Sequence, residues 1–391
     1  MTSGRSTGAA REQAEGGDAL FDAARYADWV RGTMRVKATR PEVSLLFEST
    51  IAEPTELLVR TVREAFGSGV TSRYVSVFAD GNRFAIDAVA RRYGLGPDQV
   101  LPTTGATGAL ALALRALVAK DDDVLVETPG FDLLARLAAE AGASVGFIRR
   151  GGPDYALDLD DLAARLTPRT RVVILTNLHN PSGAWMPPEA IAAAARLVET
   201  VGGVLIVDEV YADFANAPPP AASLAANIVT VSSLTKVFGL FALKFGWMAA
   251  DAGLLARIRC AAPDGDMGVS KLSHAVAAHV LERPAPFEAH WRGILQATRP
   301  VVAGHAAPLV AEGLLAGELP PHGCMYFPEV PGVSDTRALA RRLLDDFDVL
   351  VAPGEYFGAP GHLRIGFGGD PEAVDRGMSR LAAGLRHSIR G

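Results

Sequence analysis

The chain predicts an α/β fold, in which a large domain with a mostly parallel sheet between helices is followed by a small α+β domain at the C-terminal end. Two observations carry this. From residue 100 to residue 231, short apolar runs alternate with amphipathic stretches of helical length, the pattern of βαβ units whose strands are covered on both faces. Beyond about residue 275 that alternation stops, and helices and short strands gather at one end. A length of 391 residues suits one large and one smaller domain better than a single core. The expected division is a disordered tail over 1–19, an arm over 20–45 packing on the small domain, the large domain over 46–275 and the small domain over 276–391.

Hydrophobic residues at 49% and charged residues at 21% belong to a globular chain, not a disordered one. A net charge of −6 gives no basic footprint for nucleic acid. Cys260 and Cys324 are too few and too far apart for a disulfide framework or a metal site, and read as buried or inert thiols in a reducing compartment. The first twenty residues hold no apolar segment of a signal peptide, and no run reaches the ~18 apolar residues of a membrane span. A cytoplasmic location is expected.

In order, Leu20, Ala23 or Ala24, Ala27 and Val30 recur at helical spacing and form a short amphipathic arm. Helices follow at 56–67 and 82–93, and the loop 71–81 between them carries Tyr74 and Phe78, aromatics that more often plug a core than line a site. A short strand at 100 empties into the small-residue turn Gly105-Ala106-Thr107 and an Ala/Leu-rich helix over 110–118. Such a turn offers free N–H groups and the positive end of a helix to a phosphate, although plain capping by Thr107 explains it equally well. Strands at 124–126, 144–148, 172–175, 204–207 and 228–231 then alternate with helices at 133–141, 159–166 and 188–200. In the C-terminal part, 290–311 reads as a helix broken at Pro300 and Pro308. A strand at 323–327, a helix at 336–347 and short strands at 349–352 and 363–366 complete it.

In open sheets of this kind, ligands sit beyond the carboxyl ends of the strands. Those ends carry Phe131 on a turn, Asn180 in a polar loop beside His179, Asp208 with Tyr211, and Ser233 with Lys236. Each has an ordinary explanation: turn chemistry for 180–183, a structural His179, a surface charge or cap for Asp208, and a helix-start or interdomain charge for Glu209. Lys236 lies between a β-branched strand and the apolar run 237–241. It is either a loop lysine with a solvated head or an amine whose lowered pKa suits Schiff-base chemistry.

Taken together, Gly105-Ala106-Thr107, Asn180-Pro181-Ser182-Gly183, Asp208-Glu209-Val210-Tyr211, Ser233-Leu234-Thr235-Lys236 with Lys244-Phe245-Gly246-Trp247, and Leu363-Arg364-Ile365 resemble, in order and spacing, the motifs of the class I/II aminotransferases. The resemblance covers roughly 40–385. It implies fold type I, with a seven-stranded type of sheet, pyridoxal 5'-phosphate as cofactor, and Lys236 as the internal-aldimine lysine that also moves the proton. It further implies Asp208 on the ring nitrogen, Tyr211 and Asn180 on the ring 3-oxygen, and Phe131 on the ring face. Gly105, Ala106, Thr107 and Ser233 would hold the phosphate, and Arg364 the substrate α-carboxylate. A homodimer is implied, in which Tyr74 reaches the neighbouring subunit's phosphate. Lys244 stands where most relatives have arginine, so as a phosphate ligand it would supply charge without the planar fork.

The implied activity moves an amino group between an amino acid and a 2-oxo acid. The alternative keeps the cofactor in a β- or γ-eliminating lyase, or in a cyclase acting on a hydroxylated amino acid, because the same lysine and aspartate serve both. The arm with Asp28-Trp29 and the residues 44–58 depart from the commoner family pattern and imply specialised substrate-facing residues. A non-catalytic aminotransferase-like regulator is disfavoured: only about forty residues precede the fold, without a basic recognition helix. Phe327, Tyr326 and Phe357 point to an apolar or aromatic substrate side chain.

Overall fold

The computed structural model describes residues 20–67, 69, 71–75, 81–216, 218–261 and 270–390. The tail over 1–19 and Phe78 lie outside them. In chain order the strands are β1 (Ser44–Leu45), β2 (Val100–Thr104), β3 (Asp123–Thr128), β4 (Ser144–Gly151), β5 (Ala156–Leu157), β6 (Thr170–Thr176), β7 (Val204–Asp208), β8 (Ile228–Ser233), β9 (Phe245–Ala249), β10 (Met325–Tyr326), β11 (Val349–Leu350), β12 (Ala352–Pro353) and β13 (Leu363–Gly366).

One sheet runs β2-β9-β8-β7-β6-β3-β4-β5. The β8-β7, β7-β6, β6-β3 and β3-β4 pairs are parallel, while β9 runs antiparallel to both β8 and β2. The short β5 adds an eighth strand to the expected seven by pairing antiparallel with the end of β4. Every residue of β7 and β8 is buried, which is why their sequences are continuous instead of alternating. Strand β9 was not visible in the sequence, because its apolar residues continue a run that begins at Val237 with little turn chemistry to divide it. Gly246 lets β9 press against the start of the helix Gly105–Leu117: a Cβ there would lie 2.5 Å from the carbonyl carbon of Gly105 and 2.8 Å from the nitrogen of Ala106.

The predicted break at Pro300 and Pro308 is absent, and one helix spans Ala285–Ala311. Its buried residues Trp291, Leu295, Thr298, Val302, Ala306 and Leu309 form an unbroken stripe, and packing along that stripe outweighs local propensity. Both prolines stand on the exposed face, as do Gln296 and Gly304 one turn earlier, so the carbonyls that lose an N–H partner face water. The remaining strands form a three-stranded sheet, β10-β13-β12, and the parallel pair β1-β11, covered by the helices Thr336–Phe347 and Pro371–Arg390. The arm helix Tyr26–Thr39 buries Trp29 against Phe47 and Tyr356, with ring centres 5.0 and 5.6 Å away. Its first N–H, at Tyr26, donates to Asp132 Oδ2 at 3.1 Å.

Glu209 is not the interdomain or helix-start charge expected from sequence. It is buried, accepts the Ala221 N–H at 3.2 and 3.3 Å, and burial pushes its carboxyl up to about 8. Between the ordinary carboxyl range and about 8, the fold therefore holds a proton that the unfolded chain releases. This group makes stability fall as pH rises across that window, by at most about 1.4 kcal/mol per pH unit, and leaves it flat above. Urea denaturation of wild type and Glu209→Gln at pH 5, 6.5 and 8 is expected to show a shallower decline in the variant.

Candidate active site

The parallel strands bring their carboxyl-terminal residues to one edge of the sheet. Lys236 follows β8 by three residues; its carbonyl accepts the Ile51 N–H at 3.1 Å, and its Nζ stands 5.8 Å from the centre of the Tyr211 ring. Burial depresses its pKa, Arg364 adds to the depression, and Tyr26, Cys324 and Asp208 oppose it. No carboxylate among the described residues forms an ion pair with it. These are the surroundings of a lysine poised for use, not of a solvated loop lysine.

Asp208 ends β7, and burial pushes its carboxyl up to about 6 against the Val210 N–H, which donates to Oδ1 at 3.1 Å. Oδ2 accepts no hydrogen bond among the described residues. Three residues on, the Tyr211 hydroxyl donates to Ser49 Oγ at 2.9 Å. Asn180 sits in the loop after β6, its N–H donating to Thr176 Oγ1 at 2.9 Å. Thr176 is held in turn by Glu127, which accepts from both its hydroxyl and its N–H and pairs with Arg150 at 3.1 Å. His179 braces the same loop. Its Nε2 donates to the Pro129 carbonyl at 2.9 Å, so Nδ1 accepts from Ser182 Oγ at 2.7 Å, and burial holds the ring neutral, its pKa well below the usual value.

Arg364 on β13 is buried, and no carboxylate pairs with it among the described residues. Its Nη1 donates to Asn180 Oδ1 at 2.8 Å, while Nη2 donates to the Phe47 carbonyl at 3.0 Å and to the Tyr26 hydroxyl. Nε has no partner. The guanidinium lies 4.6 Å from the centre of the Phe357 ring and 5.0 Å from that of Tyr26. A guanidinium only donates, so the oxygen of Asn180 must face it and the amide NH2 is left to donate elsewhere. Phe131 stands immediately before the helix Asp132–Glu140, with its ring edge-on to Tyr26 at 6.0 Å.

The helix Gly105–Leu117 begins at Gly105, five residues earlier than predicted, with Thr104 preceding it and no side-chain cap. Thr107 therefore lies inside the first turn, and the capping explanation fails. Ser233 closes β8, its hydroxyl accepting the Thr235 N–H at 3.3 Å. Of the remaining expected residues, Lys244 has its backbone beside the Gly105 turn and lies within the field of Lys236, whereas Tyr74 is not gathered with the rest. The Lys244 ammonium sits 3.8 Å from the Phe241 ring centre, and Tyr74, partly exposed, packs edge-on to Phe66 and under Lys271.

Tyr26, Ser49 and Cys324 belong to the site but were missed. Cys324, far from being a remote thiol, lies within the field of Lys236 and Arg364, and burial pushes it up to about 12; Cys260 is exposed. A tyrosine opening an amphipathic arm was the available signal for Tyr26. Of the aromatics expected around a substrate side chain, only Phe357 touches Arg364, while Phe327 stacks on His362 and the Tyr326 hydroxyl donates to the Gly317 carbonyl.

The sequence profile of the aminotransferase class I and II family matches residues 58–381. The chain belongs to that family. It is 33% identical over 309 residues to the capreomycidine synthase of Streptomyces vinaceus, covering 78% of this chain and 79% of that protein. It is 30% identical over 305 residues to the arginine–pyruvate transaminase of Pseudomonas aeruginosa, covering 75% and 76%. The solved structure of the PLP-dependent cyclase OrfR superposes with a TM-score of 0.76 at 27% identity, covering 89% of this chain and 94% of that one. This aminotransferase family member is a pyridoxal phosphate-dependent enzyme.

The residues present fit that cofactor. An uncapped helix start suits a phosphate, the open oxygen of Asp208 suits a protonated ring nitrogen, and Lys236 is an amine with no ion-pair partner among the described residues. Among the described residues no cluster of side chains could hold a metal, and no helix is long and apolar enough to cross a membrane. Gly246→Ala should push the 105–106 turn out of place. Its dissociation constant for pyridoxal phosphate, measured by fluorescence titration of the apoprotein, is expected to rise at least about tenfold. An unchanged constant would show that the turn does not hold phosphate.

Proposed function

We propose that this enzyme transfers an amino group between an amino acid and a 2-oxo acid, with Arg364 as receptor of the substrate α-carboxylate and Lys236 as the residue that carries the cofactor. The observation behind this reading is the buried Arg364 guanidinium, supplied with neutral acceptors and ring faces but no acid among the described residues, beside Asn180 and within the field of Lys236. A carboxylate is the chemistry such a group lacks.

In this reading, Gly105, Ala106, Thr107 and Ser233 hold the phosphate. Phe131 covers the ring, while Asp208 keeps a proton on the ring nitrogen. Bound there, pyridoxal phosphate supplies the electron sink that makes the substrate Cα–H acidic. Asn180, through its free NH2, and Tyr211 donate to the ring oxygen, which requires the Tyr211 hydroxyl to turn from Ser49. Lys236, with its depressed pKa, takes the proton from Cα and returns it one atom away. Tyr26 and Phe357 orient Arg364 and shield the carboxylate from water.

The capreomycidine synthase and OrfR likenesses favour a second reading, cyclisation of a substituted amino acid. The same lysine and aspartate serve both. We also infer a homodimer in which Tyr74, apart from its own chain's site, reaches the neighbouring one. Two free cysteines accord with a cytoplasmic location.

The test is the visible spectrum of the holoenzyme as amino acids are added. A band near roughly 420 nm that moves to about 330 nm, with release of a 2-oxo acid and recovery on adding another, is expected for transamination. Lys236→Ala should lose the exchange. A cyclic product or ammonia without that shift would establish the second reading. Light scattering on the same sample should give a dimer, and a cofactor-bearing monomer would remove the role of Tyr74.

A further inference from the structure

The segment 46–52 crosses the site and is tied to it almost residue by residue. Leu46 donates its N–H to the Leu350 carbonyl at 2.8 Å and accepts from the Gly366 N–H at 2.6 Å. Phe47 offers its carbonyl to Arg364, Ser49 its hydroxyl to Tyr211, and Thr50 donates to the Thr235 carbonyl at 2.9 Å. Ile51 closes the series on the Lys236 carbonyl. The exception is Glu48.

The backbone of Glu48 is fixed: a Cβ placed on Gly366, two residues beyond Arg364, would lie 1.9 Å from the Glu48 carbonyl oxygen. Its side chain is exposed, and it has neither hydrogen bond nor ion pair among the described residues. Partial burial pushes its carboxyl up, and the two charges that hold it down are Lys236 and Lys37. Lys37 is engaged elsewhere, donating to the Pro41 and Val43 carbonyls at 2.5 and 2.7 Å. Lys236 is the residue that carries the cofactor. The protein thus fixes the backbone of Glu48 between the residue that touches Arg364 and the one that touches Tyr211, and leaves its carboxylate without a committed cation among the described residues. A substrate side chain bearing an anion would be repelled there, and one bearing a cation would supply the missing partner.

We propose that Glu48 receives the cationic end of the substrate side chain, a guanidinium or ammonium group, and so selects basic amino acids. This rests on the reading of Arg364 as the α-carboxylate receptor and is an alternative to the expectation of an apolar or aromatic side chain.

Two inert acids test it: 5-guanidinopentanoate and 5-ureidopentanoate have nearly the same shape, lack the α-amino group and differ by one charge. Calorimetric titration of the holoenzyme is expected to show the guanidino acid binding at least about tenfold more tightly. In Glu48→Gln, with its visible spectrum intact, that ratio should fall to about two or less through loss of the guanidino acid alone. The pair 6-aminohexanoate and hexanoate, read in the same way, separates an ammonium preference from a guanidinium preference. The proposal is overturned if wild type prefers neither charged acid, or if Glu48→Gln keeps the preference. Failure of all four acids to bind would overturn the α-carboxylate reading with it, whereas equal binding of charged and neutral acids, lost on changing Arg364, would overturn Glu48 alone.

Discussion

A guanidinium buried without an acid partner among the described residues is the constraint on which the rest of this site depends. Desolvating Arg364 costs several kcal/mol in general terms, and neutral acceptors return only part of that. The chain nevertheless assembles four separated segments around it: Tyr26 from the arm, Phe47 from the segment after β1, Asn180 from the loop after β6, and Phe357 before β13. Each donates an oxygen or a ring face, and none brings a charge. The result is a cation held rigidly in place and left electrostatically incomplete, the condition under which an incoming carboxylate gains most.

The large sheet solves the complementary problem of placing a carboxylate and an amine at one edge without letting them neutralise each other. Asp208 ends one of two neighbouring parallel strands and Lys236 follows the other by three residues, near enough for each to shift the other's pKa but without forming an ion pair. Behind them lies a separate buried layer, with Glu127 and Arg150 holding Thr176 while His179 and Ser182 hold the loop that presents Asn180. This layer makes no claim on the reactive groups. Its work is positional, and it explains why a buried acid, a buried arginine and a buried histidine lie so near the site without entering it.

Much of this was legible in the sequence, because β7 and β8 read as continuous apolar runs that end abruptly in Asp208 and in Ser233 with Lys236. Arg364 was legible for the same reason, as a cation between Leu363 and Ile365. Contributions from a distance were not. Tyr26 and Ser49 reach the site through the packing of the arm and of the segment after β1; the only local signal was the tyrosine opening the arm, and no local pattern marks Ser49. The unbroken helix over Pro300 and Pro308 was missed because local rules do not know which face will be solvated. Glu209 was misread because its acceptor role depends on Ala221, twelve residues away and brought back by a turn. Lys244 was legible as a motif position, yet its ammonium rests on Phe241, which sequence order could not foresee.

In the proposed function Arg364 is kept incomplete in order to receive a carboxylate. The most direct measurement is equilibrium binding of a simple monocarboxylate, such as propanoate, to the holoenzyme and to Arg364→Gln, followed through the visible band of the cofactor. Saturable binding by wild type is expected, with a loss of at least about a hundredfold in a variant that still holds its cofactor. Equal binding by the two proteins would contradict it and make Arg364 a structural residue.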